Sequence, residues 1–346
     1  MLTITLRDLL FRRRQFGIAV LGASLIFGLT LLLTGMSAGF REEIKTTVDS
    51  VDADAWIVPR GVSGPFSSDV ALPASAVAVV RRAPGVTQAL PIAEFGHVAA
   101  LPDRSREPIN VIGLPPGGLS GAGALASRDG EAVVSDRLDV DPGEMIEIAG
   151  RPLRVDGIKP GASYFAGVPT VYVTLSDAQA IGFGGEPLAN AMVTRGSPQG
   201  PLPGGLAVRR RSDIEADLRT PVENAISTID SIRVLMWLVA ALIIGAVTYL
   251  SALDRLRDFA VLKAVGGASR SVALSLTVQA VLAAILAAVL AVGLARVMKP
   301  AVTIPVIFQG RAVLLLLAVA ALVGVASSLV AMRRILRVDP ALAFGG

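Results

Sequence analysis

The chain has 346 residues, of which 53% are hydrophobic and only 17% charged, and its mean hydropathy is +0.63. That balance sets it apart from ordinary soluble domains. Aromatic residues make up 5%, so the apolar content is Ala, Val, Leu and Ile, and the absence of Cys excludes disulfides, thiolate metal sites and Cys nucleophiles.

In chain order, residues 1–16 read as a cytoplasmic amphipathic helix, with Leu2, Leu6, Leu9 and Leu10 on one side and arginines toward headgroups. Residues 17–36 form an uncharged run long enough to span a bilayer (TM1). Arg13-Arg14-Gln15-Phe16 before it resembles a twin-arginine export signal. The run is long for a signal, and Met36-Ser37-Ala38 is a poor cleavage site, so the spanning reading is preferred. Residues 37–230 read as an extracytoplasmic α/β domain with helical stalks. Phe40, Ile44, Val48 and Val51 keep a helical period, as do Ile214, Leu218, Val222, Ile226 and Ile229. Periodicity alone fits equally two stalks continuing the membrane helices or two helices packed on the domain.

Between these segments, short strands are predicted at 53–58, 98–101, 109–113, 131–134, 145–148, 153–158 and 170–175. Helices are predicted at 73–82 and 176–181, the latter capped by Ser176. Gly/Pro/Ser-rich loops fall at 61–70, 115–123 and 197–205. Further apolar runs follow at 234–253 (TM2), 272–297 (TM3) and 312–332 (TM4). They are separated by a loop at 254–271 and a short outer loop at 298–311, and followed by a tail at 333–346. The predicted fold class is therefore a four-helix membrane protein with a mixed α/β extracytoplasmic domain between helices 1 and 2.

Lys and Arg flank TM1 on its N-terminal side (Arg7, Arg12, Arg13, Arg14), fill the 254–271 loop (Arg255, Arg257, Lys263, Arg270) and follow TM4 (Arg333, Arg334, Arg337). By the positive-inside rule these segments and both termini are predicted to be cytoplasmic. Residues 41–230 hold 17 Lys+Arg against 24 Asp+Glu, a balance of −7 in a chain of net charge +4. The excess of positive charge thus sits in the flanks of the spans and points to no nucleic-acid binding.

No catalytic constellation stands out, and no catalytic, cofactor or metal residue is assigned. No G-x-x-x-x-G-K-[ST] string is present, so the chain has no P-loop for ATP. His97 is alone of its kind and reads as structural. Gly35-Met36-Ser37-Ala38-Gly39 matches a nucleophile elbow in letters, but no strand precedes it, and close helix approach explains it better. Glu94, Glu144 and Glu147 read as solvated strand faces. Ala280, Ala284 and Ala288 repeat at i+4, as do Ala320, Gly324 and Ser328, a pattern that packs membrane helices closely. The spans lack Asp, Glu and Lys in their interiors, which argues against an ion-coupled secondary transporter.

The loop beginning Asp254-Arg255-Leu256-Arg257-Asp258-Phe259 and ending Leu262-Lys263-Ala264-Val265-Gly266-Gly267-Ala268-Ser269-Arg270 resembles the cytoplasmic loop of MacB/FtsX-type ABC transporter permeases. It departs from their R-x-R-[ED]-x-x-x-L-[RK]-A-x-G-A-S string by one inserted Gly267. Arg337-Val338-Asp339-Pro340-Ala341 resembles the ending of that family, and Asp54-Ala55-Trp56 followed by Gly64-Pro65-Phe66 is similar to its DevC-like branch. The resemblance implies a multi-pass protein of a bacterial inner membrane that works as a homodimer without catalytic activity of its own. A separate ABC ATPase subunit, holding ATP and Mg, is implied as partner, with a membrane-fusion adaptor or another extracytoplasmic protein as a further candidate. The ATPase-coupling residues it implies are Asp254, Arg255, Arg257, Asp258, Phe259, Leu262, Lys263, Gly266 and Arg270. The implied work is mechanical transmission for export or extraction of a lipid, lipoprotein, peptide or drug. The alternatives are an FtsX-like regulator of cell-wall hydrolases and a membrane-anchored sensor.

Overall fold

The structure, a computed structural model, describes residues 13–68, 70–119, 125–253, 269–302 and 304–335. The chain divides into a unit of residues 39–225 and a unit comprising residues up to 38 and from 226 onward. Among the described residues, four helices are long and apolar enough to cross a membrane. They are α1 (Arg13–Val51), α4 (Arg211–Leu253), α5 (Ser269–Met298) and α6 (Gly310–Ile335); the short helices α2 and α3 are given below.

In the 39–225 unit, alternation of apolar residues over short runs yields twelve strands. These are β1 (Ala55–Pro59), β2 (Leu72–Pro73), β3 (Gln88–Ala100), β4 (Arg106–Leu114), β5 (Glu131–Ser135) and β6 (Met145–Ile148). They continue with β7 (Arg151–Lys159), β8 (Ser163–Tyr164), β9 (Val168–Thr174), β10 (Leu188–Ala189), β11 (Ala191–Arg195) and β12 (Leu206–Arg209). Strands β3, β4, β9, β5, β7 and β6 pair in that order, and β6 pairs back onto β3 through Ala99–Ile148 and Ala100–Glu147. That closure makes a six-stranded barrel and removes its free edges. Its interior is filled by Ile109, Val111, Val134, Ile146, Ile148, Leu153, Val155, Val171 and Val173.

Strand β3 belongs to two assemblies. Its first half, Gln88–Ile92, pairs antiparallel with β11, which continues to β1 and β12, while its second half, from Ala93 on, pairs with β4. The smaller sheet packs against α2 (Val77–Arg81) through Ile57, Leu72, Val80, Ala89 and Met192.

The helix predicted at 73–82 is a 3-10 turn at Ala74–Ala76 followed by α2. The cap of α3 (Leu175–Gly182) is Thr174, two residues before the expected Ser176; its hydroxyl accepts from the Asp177 N–H at 3.3 Å. Of the acids read as solvated, Glu144 and Glu147 are exposed, but Glu94 is buried.

In the other unit, small residues let the helices approach. Ala284, Ala288, Ala291 and Ala295 of α5 are buried, as are Ala320 of α6 and Phe27 and Leu31 of α1. Thr277 and Ser328 lie 3.0 Å apart, and Ser327 donates to the Ala241 carbonyl at 3.3 Å; Thr30 and Thr34 return their hydroxyls to the carbonyl four residues back. Every such hydroxyl needs a partner in lipid. Leu21, Leu25, Leu238, Leu242, Leu314 and Leu322 point outward, as lipid-facing residues do.

Candidate functional site

Of the residues implied by resemblance, Asp254, Arg255, Arg257, Asp258, Phe259, Leu262, Lys263 and Gly266 lie outside the described residues, and Arg270 falls in the first turn of α5. The structure instead assembles a site at the point where β3 passes from one sheet to the other.

Glu94 stands at that switch. Its backbone N–H has run past β11, whose pairing ends at Ala191–Ile92, and donates instead to Asn190 Oδ1 at 2.7 Å. The other end of the Asn190 amide donates to the Val70 carbonyl at 3.1 Å. Asn110, on β4, has its amide nitrogen toward the carboxylate and donates to Glu94 Oε1 at 2.6 Å and to the Phe95 carbonyl at 3.3 Å. Among the described residues no hydrogen bond reaches Glu94 Oε2.

Asp217 holds the other wall. It lies on the buried stripe of α4, three residues after Ile214, and is only 1% exposed. Its carboxylate accepts from the Phe66 N–H at 2.9 Å and from the Ser67 hydroxyl, tying the 64–68 loop to the helix. A Cβ at Gly64 would collide with the Asp217 carboxylate, so glycine is needed for that approach. Pro221 sits inside α4. It has no N–H for the Asp217 carbonyl four residues earlier, which weakens the helix at this turn.

Tyr164 completes the site. Its hydroxyl lies 3.4 Å from the Phe66 carbonyl, and its ring stacks at 5.9 Å on Phe66, which in turn meets Trp56 at 5.6 Å. The following turn is strained: Phe165 and Ala166 hold φ of 38° and 64°, a region that side chains resist. Phe40, Ile44, Leu218 and Val222 of α1 and α4 pack round Tyr164 and Phe165. Tyr164 thus lines both the larger cavity and the small one bounded by α1 and α4.

Beside these residues lies an open cavity of about 750 Å³ lined by Phe66, Ser67, Ser68, Glu94, Phe95, Tyr164, Phe183, Asn190, Thr220 and Pro221. Burial pushes the Glu94 carboxyl up to about 8; the Asn110 hydrogen bond offsets part of this, and the charge of Asp217 adds to it. Burial also raises the Tyr164 phenol, helped by Glu94 and Asp217. His97 is half-buried on β3, and its Nδ1 accepts from the Val98 N–H at 2.8 Å, a local bond with no ligand geometry. Among the described residues no group of three or more His, Asp or Glu is placed to hold a metal ion.

The raised Glu94 value carries a stability prediction. An acid with a raised folded pKa holds its proton more tightly in the folded chain. Its contribution is complete below the ordinary value of 4.5 and is lost as pH climbs to about 8. Glu94→Gln is therefore expected to melt like the parent near pH 4.5 and to be more stable near pH 8, by up to about 4 kcal/mol. Thermal melts of the full chain at the two pH values check this, and equal melting at both would refute the buried-acid description.

Sequence reading took Glu94 for a solvated residue and passed over Asp217, although Glu94 carried a signal. Leu90, Ile92 and Glu94 share one face of a strand, and two apolar residues on that face mark it as inward.

Comparison with known proteins places the chain. Residues 231–340 match the family described as FtsX-like permease C-terminal. Over 350 residues the chain is 37% identical to two uncharacterized ABC transporter permeases of Mycobacterium tuberculosis and to one of Mycobacterium bovis, with 100% of each chain covered. Among solved structures, the periplasmic region of MacB from Actinobacillus actinomycetemcomitans aligns with a TM-score of 0.37 and 12% identity over 51% of this chain and 97% of that one. The extracellular domain of the noncanonic ABC-type transporter YknZ from Gram-positive bacteria aligns with a TM-score of 0.32 and 13% identity over 42% of this chain and 84% of that one. With relatives matched end to end and the family's C-terminal region recognised, this multi-pass membrane chain belongs to the FtsX-type family of ABC transporter permeases.

Proposed function

We propose that the chain is a mechanical transmitter: a separate ABC ATPase, holding ATP and Mg, docks on the cytoplasmic loop 254–270 and drives motion of the outer domain through α1 and α4. Two copies of the permease pair, with both termini in the cytoplasm, and the work done is export or extraction of a lipid, lipoprotein, peptide or drug. The observation that carries the reading is that α1 and α4 are each one unbroken helix, Arg13–Val51 and Arg211–Leu253, joining an apolar span to the strand-rich domain. Two copies pairing along α4 would cover part of its apolar stretch, the least buried of the four spans.

Because the chain has no Cys, one spin label at an exposed position, Glu107→Cys, reports on the outer domain alone. In the assembled transporter the label-to-label distance is expected to shift when ATP is trapped by vanadate. Ile44→Pro should abolish that shift while the ATPase stays bound, because it breaks α1 at a buried position at a cost of about 3 kcal/mol. A membrane-impermeant reductant added outside cells should quench the label. An unchanged distance in the parent on trapping, or a shift that survives Ile44→Pro, contradicts transmission through α1.

A further inference from the structure

The cavity at the β3 switch holds a feature that packing alone does not require. Glu94 is 7% exposed and lines the cavity, with Oε2 free of hydrogen bonds among the described residues. A purely structural role for the amide-bonded side chain would be met by Gln, without the cost of burying an ionisable group. Asn190 has both amide ends engaged, by the Glu94 N–H and the Val70 carbonyl, and Asp217 is held by Phe66 and Ser67. The acid is thus the polar group best placed to choose a ligand. Among the described residues no Lys, Arg or His lines the cavity, which disfavours anions, and three phenylalanine rings, those of Phe66, Phe95 and Phe183, line it. Its volume of about 750 Å³ suits a drug-sized molecule.

We propose that this cavity binds a hydrophobic organic cation, with Glu94 as its counter-ion and Phe66, Phe95 and Phe183 as its apolar walls. A cation there meets a carboxylate shielded from water, where charge pairing is stronger than at the surface, and the ring faces add cation–π attraction. The site also touches the stalk. Thr220 and Pro221 of α4 line it, and Tyr164 reaches from it to the packing of α1 and α4. Occupancy therefore bears on the helix turn that Pro221 weakens, so the ligand gates or loads the permease. That last role rests on the permease reading; binding itself does not, since it is measured with no ATPase present. Failure to bind would leave ATPase association untouched, and the reverse holds equally.

Binding should depend on pH through Glu94. Among the described residues the titratable groups facing it are Asp217 from α4 and Tyr164 from β8, and burial keeps the Tyr164 phenol protonated across the range used. The probe is tetraphenylphosphonium, whose charge does not titrate, with triphenylphosphine oxide as a neutral analogue. Equilibrium dialysis against the purified full chain in detergent should show saturable binding of the cation, about tenfold tighter at pH 9 than at pH 7 as the carboxyl loses its proton. Glu94→Gln should weaken it by at least about tenfold at pH 9 and flatten the pH dependence. Phe183→Leu should weaken it while keeping that dependence, and the neutral analogue should be indifferent to Glu94→Gln. No saturable binding of the cation at pH 9, or equal binding by the parent and Glu94→Gln, would overturn the assignment. So would a neutral analogue that binds as tightly as the cation.

Discussion

Replacing Gly324 with Leu is expected to destabilise the membrane unit by about 3 kcal/mol, the upper range for overpacking a filled interior. Gly324 lies on α6, where a Cβ would come within 2.8 Å of Val281 Cα and 2.9 Å of the Ala280 carbonyl oxygen. Those atoms are backbone of α5, so no rotamer change relieves the clash, and the two helices must separate. Lipid supplies little force to hold them once their close packing is lost. The control is Gly293→Leu on α5, where an added Cβ meets nothing within 4 Å and the change also favours the helix. Thermal melts of the detergent-solubilised variants should place Gly324→Leu well below the parent and Gly293→Leu at or above it. Equal melting of the two would mean that α5 and α6 do not pack through this glycine.

The small-residue faces of α5 and α6 were legible in the sequence because membrane packing leaves a local trace: Ala280, Ala284, Ala288, Ala320 and Ser328 recur at helical spacing, and all five are buried. Strands with strong alternation or β-branched runs were equally plain. The expected 145–148 coincides with β6, and 131–134, 109–113 and 153–158 fall within β5, β4 and β7. What escaped was β3 from Gln88 through His97, of which only 98–101 was expected as strand; its early part holds Pro91, which reads as a strand breaker. In the folded chain Pro91 stands opposite Met192 within the sheet. Strands β11 (Ala191–Arg195) and β12 (Leu206–Arg209) were also unread.

The cavity escaped for a different reason. It is lined by residues far apart in sequence: Phe66 and Ser67 before β2, Glu94 from β3, Asn190 before β11 and Thr220 and Pro221 from α4. No spacing rule joins them. The 254–271 loop shows the reverse case, in which a short contiguous string pointed to a family that full-length relatives then bore out, while its residues 254–268 lie outside the described part of the structure.

That loop carries the central claim, that this permease is worked by a separate ATPase seated on residues 254–270. Phe259, Leu262 and Val265 form one apolar edge in a helical reading of the loop, flanked by Arg257, Asp258 and Lys263. An apolar anchor inserted into a groove of the partner concentrates binding energy in few side chains. Replacing Leu262 with Asp buries a charge in that contact at a cost of about 3 kcal/mol, roughly a hundredfold in affinity. Lys263→Arg preserves the charge beside it and should be nearly silent. The measurement is copurification of the ATPase with each variant at matched expression, with the spin-label distance at position 107 confirming that the outer domain is intact. The account predicts that the parent and Lys263→Arg retain the ATPase and that Leu262→Asp loses it. An ATPase that stays with Leu262→Asp as firmly as with the parent would contradict the claim.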